Sequence, residues 1–164
     1  MSIFNSVIQE HDKKKSEMDA HQAKQEAQKQ AAKDEFVEKF TIETSDVVMP
    51  LFEEFVADAK NYGFPAKIEK IQPGVDRVYL SVTLIPEKGT EFGTNRSLQS
   101  VFSVIGHVLT QKVEYVSYYD QRPGKNGIER SSLGIASIKK DVIERELGKF
   151  LKMAMDARSK PERY

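Results

Sequence analysis

The 164-residue chain contains no cysteine. Disulfide staples, thiolate nucleophiles and cysteine-ligated zinc are therefore excluded. A surplus of charge is missing too, because 25 Lys and Arg balance 25 Asp and Glu. Such a balance gives no reason to expect strong non-specific attraction to nucleic acid or anionic lipid. No apolar run approaches the roughly 18 residues that a membrane-spanning helix needs. The start, Met1–Ile8, is apolar at Ile3, Phe4, Val7 and Ile8, but it is short and has no basic region before it, unlike a secretory signal. The expectation is a soluble, cytoplasmic protein. Phosphate-cradling glycine motifs are also missing, with no Walker sequence and no G-x-G-x-x-G after a strand.

A further absence is local. From Gln9 to Glu35 there is no Val, Ile, Leu, Phe or Tyr. Met18 and the alanines Ala20, Ala23, Ala27, Ala31 and Ala32 are the only apolar side chains there. Asp12 to Glu35 also lacks Gly and Pro and is rich in Ala, Gln, Lys and Glu, all strong helix formers. Opposite charges three apart, such as Asp12 with Lys15 and Glu26 with Lys29, each add a few tenths of a kcal/mol. Residues 1–35 are thus expected to form a polar helical arm, only partly stable by itself. Ala20, Ala23, Ala27 and Ala31 fall at spacings of three, four and four. That row leads outward toward Met18 at one end and the Phe36/Phe40 pair at the other. It would let two helices approach closely while burying little area, so any coiled coil would be weak. Ile3, Phe4, Val7 and Ile8 make a small greasy tip that must dock on the parent domain or on a partner.

From Phe36 the composition becomes that of a folded domain, expected over residues 36–158, with a polar tail at 159–164. Thr41 to Asp46 combines β-branched residues with good N-cap types, which predicts an interruption. A second helix is predicted from about Ser45 to Tyr62, with Val47, Val48, Leu51, Phe52, Phe55, Val56 and Ala59 on one broad face. Pro50 predicts a kink or an irregular first turn. Gly63 and Pro65 end the helix.

Strand signals follow. Ala66 to Ile71 is short, and Gln72-Pro73-Gly74 reads as a turn. Val78, Leu80, Val82 and Leu84 alternate with Tyr79, Ser81 and Thr83, the pattern of a half-buried antiparallel strand. Leu98 to Ile105 is apolar on both phases, which suits a central strand broken or bulged at Gly106. Periodicity leaves a helix over Ser97 to Thr110 open as well. Val108 to Tyr119 and Ile128 to Ile135 read as two more strands around a turn-rich loop, Asp120 to Gly127. The last helix starts after Ser137 as N-cap and carries Ile138, Val142, Ile143, Leu147, Phe150, Leu151 and Ala154 at helical spacing. The fold class is therefore α+β: an antiparallel four- or five-stranded sheet flanked by helices, with a polar N-terminal helical arm.

Chemistry finds little purchase. Without cysteine a nucleophile would be Ser or Thr beside a His base. His11 and His21 lie on the polar arm, where nothing excludes water, and His107 stands between apolar residues beside Gly106. The carboxylate pairs Glu53/Glu54 and Glu87/Glu91 sit where solvation is expected. No catalytic residue, metal site or cofactor is expected. The reading is a non-catalytic protein-binding or assembly module (an adaptor, a chaperone-like protein or a structural component), binding a protein partner or itself as a homodimer. Ile3, Phe4, Val7 and Ile8 would dock, and Tyr115, Tyr118, Arg122 and Lys125 would form a partner surface on the sheet. The alternative is a nucleic-acid binder in which Arg96, Tyr115, Tyr118, Arg122, Lys125 and Arg130 combine stacking with phosphate contacts.

Overall fold

The computed structural model describes residues 2–71, 76–93 and 95–159. The predicted turn at Gln72-Pro73-Gly74 and tail residues 160–164 lie outside them. The packing divides the chain into two units, Met1–Phe36 and Val37–Tyr164.

The first unit belongs to one helix, α1, Ile3–Glu43. Residues 2–32 are exposed throughout, and beyond Ile8 that stretch has no branched aliphatic or aromatic side chain with which to build a core. The predicted alanine row does not join the seam assigned to it. At about 100° per residue, Ala20, Ala23, Ala27 and Ala31 fall on the side of an uninterrupted helix opposite Met18 and Phe36.

The second unit corrects the predicted interruption at Thr41–Asp46. The chain stays helical there, through a single wide π turn, Thr44–Val48, into α2, Met49–Tyr62. The threonine hydroxyls bond backward instead of capping a new helix. Thr41 Oγ1 donates to the Val37 carbonyl at 2.7 Å, and Thr44 Oγ1 donates to Phe40 at 2.8 Å. The widened turn also suits Pro50. Proline has no N–H to donate, and its ring would collide with a carbonyl four residues back in a regular α-helix. Gly63 ends α2 in the left-handed region at φ 101°, its N–H on the carbonyls of Ala59 and Lys60, as expected of a C′ glycine.

Five strands follow: β1 (Ala66–Ile71), β2 (Arg77–Leu84), β3 (Ser100–His107), β4 (Lys112–Asp120) and β5 (Gly127–Leu133). They form a meander in chain order, with every neighbouring pair antiparallel. The open choice over Ser97–Thr110 resolves as a short 3-10 turn at Arg96–Leu98 and then the central strand. Gly106 neither breaks nor bulges that strand. It pairs regularly with Val78 and Val113, and its missing Cβ leaves room for the Phe40 ring.

One sheet face carries Leu80, Val82, Leu84, Phe102, Val104, Val113 and Tyr115, all buried. Helical rings pack here: Phe52 lies 6.0 Å from Phe102 by centroid, and Phe150 lies 5.7 Å from it. Phe150 belongs to α3, Lys140–Ser159. The helix begins later than predicted, with the Ile143 N–H on the Lys139 carbonyl. Ser137 therefore does not cap it. Its hydroxyl donates to Gly134 and meets the Tyr115 hydroxyl, each at 2.7 Å. At the far end of α3, Arg158 ties down the long β2–β3 loop through the Leu98 carbonyl and Glu87.

The other sheet face alternates with the first. Ser81, Thr83, Ser103, Ile105 and Val116 are buried on it, and Tyr79, Val101, His107 and Tyr118 are half-buried. Ser81 and Ser103 stand opposite each other and share a hydrogen bond of 2.7 Å. Thr83 Oγ1 is buried without a partner.

Candidate interaction surfaces

The first surface is the start of α1. Strong helix formers carry the helix to its third residue, so Ile3, Phe4, Val7 and Ile8 are held at helical spacing. They occupy one stripe about 140° wide. Ile3 is 79% exposed, Phe4 80%, and Val7 and Ile8 59% each. Met18, 63% exposed, continues the same line, and His21 beyond it bonds Gln25 at 3.1 Å. Two turns of helix presenting large apolar side chains to water form a surface that association would cover.

The second predicted surface is rearranged by the sheet's own alternation. Tyr115 and Tyr118 are three apart on β4, so their side chains leave opposite faces. Tyr115 is a correction: it is 2% exposed and lies in the core beneath the helices. Burial pushes its phenol pKa up, against the hydrogen bond to Ser137, which lowers it. Tyr118 stays half-buried on the other face, in register with Val101 and Ile128.

An irregularity between Tyr118 and Asp120 shifts the ladder. Asp120 is buried, and Arg122 grips it with two hydrogen bonds of 2.9 Å while donating to the Ala157 carbonyl of α3 at 3.0 Å. The Arg122 hydrogen bonds hold the Asp120 carboxyl below its ordinary pKa, against the effect of burial. Arg122 is thus a brace between hairpin and helix. Lys125 lines the shallow cavity beside it, about 490 Å³, together with Asn126, Met153 and Asp156. Arg96 and Arg130 are both exposed. Arg130 reaches Glu114 at 3.6 Å, and His107 Nε2 meets the same carboxylate at 3.4 Å. The six side chains proposed for nucleic acid are therefore not assembled on one face. Among the described residues no group of three or more His, Asp and Glu is placed to hold a metal ion.

A third surface was not anticipated. Phe55, Ala59, Tyr62, Phe64, Leu151 and Met155 line a groove of about 270 Å³ between α2 and α3, with Asp58 at its edge. Ala59 and Phe64 are buried, but Tyr62 is 56% and Met155 38% exposed. The sequence pattern assigned Phe55, Ala59 and Leu151 to the core. Gly148 lies on the same side of α3 as Leu151 and Met155 without lining the groove. It sits in the interior of α3, where glycine costs about 1 kcal/mol against alanine. It lies one turn before Leu151 and two before Met155, and a Cβ built on it would meet nothing within 4 Å.

Comparison with family models, with curated proteins and with solved structures found no match to this chain.

Proposed function

We propose that this is a non-catalytic protein-binding or assembly module of the cytoplasm, acting as an adaptor, a chaperone-like protein or a structural component. The exposed stripe Ile3, Phe4, Val7 and Ile8 carries the reading. Full burial of one such side chain is worth about 1.5–3 kcal/mol, so the stripe is a strong incentive for association. The cavities described favour binding over chemistry. Neither is lined by a histidine, serine or threonine. The half-buried Tyr79, Val101 and Tyr118 offer a further contact surface on the sheet.

Nucleic-acid binding has less support, because Tyr115 is core and Arg122 is committed to Asp120. The test is capture of proteins from the native host by the full chain and by a Phe4→Glu, Ile8→Glu double variant. Both positions are exposed, so the variant should keep its fold. The proposal requires at least one partner, or the chain itself, to be retained by the wild type and lost by the variant. Identical captures from both would remove the stripe's role.

A further inference from the structure

We propose that the α2/α3 groove receives the N-terminal apolar stripe of a second copy of this chain, making the self-associated state the chain's own assembly. This rests on reading the stripe as a docking element and names its receptor. The groove has the form that an amphipathic helix fills: apolar walls from two helices and an open top. Dimensions agree. From Phe55 to Tyr62 the α2 wall runs about 10 Å, and from Ile3 to Ile8 the stripe runs about 7.5 Å.

Gly148, exposed on α3 one turn before the groove residue Leu151, is a place beside the groove where another backbone can come close. Nothing in the second unit uses the space its missing side chain leaves. Small residues are what close helix–helix approach requires. Charge agrees as well. The α2 rim presents Glu54 and Asp58, both exposed, against Lys88 over the Tyr62 ring at 4.0 Å. The stripe is followed within two turns by Lys13, Lys14 and Lys15 against Glu10 and Asp12, with Lys14 on Glu10 at 3.6 Å, so the groove side is net acidic and the stripe side net basic. Reciprocal exchange of stripes between two copies would give a closed two-fold pair with both stripes covered.

Sedimentation of the full chain over a wide dilution series, with three variants, tests this. Phe4→Glu removes the occupant's central side chain. Gly148→Gln and Met155→Gln each obstruct or weaken the receptor. Gly148→Gln replaces an exposed helical glycine with a better helix former, so lost association cannot be put down to unfolding; circular dichroism melts check this. The expected result is reversible association of the wild type, weakened at least about tenfold by Phe4→Glu and by either groove variant, as for residues at the centre of a contact. Mixing labelled Phe4→Glu chain with Gly148→Gln chain should restore a complex, because one supplies an intact groove and the other an intact stripe.

A wild type that stays monomeric throughout overturns the inference. So does association indifferent to both groove variants, or a mixture that forms no complex. A monomeric wild type that captures a different protein through Phe4 leaves the stripe's docking role standing and removes only the second copy. A monomeric wild type whose captures ignore Phe4 removes both.

Discussion

Gly106→Ala isolates one packing contact on which the second unit depends. Gly106 lies in the central strand with ladder partners on both sides. Its φ is not positive, so alanine is allowed by the backbone, and the whole cost must be steric. A Cβ built there falls 2.9 Å from Phe40 Cδ2, 3.0 Å from Cγ and 3.1 Å from Cε2. Phe40 is 1% exposed and so has no free direction in which to retreat. Overpacking of this kind costs about 1–3 kcal/mol. Restricting the unfolded chain by removing a glycine offsets about 0.4–1 kcal/mol of it. The net expectation is a loss of about 1–2 kcal/mol, or roughly 5 °C in Tm, read from urea and thermal unfolding followed by circular dichroism. Phe40→Leu in the same chain makes room. The double variant should then be more stable than the sum of the singles by about 1 kcal/mol. An unchanged or raised Tm for Gly106→Ala, or strict additivity with Phe40→Leu, would refute the argument that this glycine exists to admit the ring.

Asp120→Asn should cost about 2 kcal/mol near neutral pH by removing a charge-assisted brace to Arg122. Because the folded carboxyl titrates below its ordinary value, its stabilisation is complete above that ordinary value. It fades as pH falls through the ordinary value toward the lowered one. Unfolding curves of the two proteins should therefore converge in acid, and a constant gap would contradict the linkage. Thr83→Val should leave stability unchanged or raise it by about 1 kcal/mol, since the hydroxyl it removes is buried without a partner; a clear loss in denaturant midpoint would show that the hydroxyl is satisfied after all. Tyr115→Phe should cost about 1 kcal/mol through the lost bond to Ser137, without changing what the full chain captures. Weakened capture would return Tyr115 to a binding surface. Fluorescent oligonucleotide titrated at low salt should show no binding; binding that weakens steeply with added salt would favour the nucleic-acid reading.

The α+β class, the C′ role of Gly63 and the alternation of Val78 to Leu84 were readable because each rests on local pattern. The π turn was not. Thr41, Thr44 and Ser45 signal a cap equally well, and only the hydroxyls' choice of carbonyls behind them decides the matter. Gly106 read as a bulge because the ring that needs its space lies far away in sequence. Tyr115 was readable in principle. Its phase with Val113 and its odd spacing from Tyr118 place the two tyrosines on opposite faces, and grouping them by proximity hid that. The α2/α3 groove was hidden because its apolar walls are drawn from the same stripes that make the core.

The central claim is that one face of the first two helical turns is covered by protein in the cell. Site-specific photo-crosslinking in the native host tests it directly, with a photoreactive residue at Phe4 in one chain and at Gln9, on the opposite side of the helix, in another. Discrete protein adducts from position 4, to this chain or to a partner, and none of matching strength from position 9, are the expected result. Equal adducts from both positions, or none from position 4, would contradict the account.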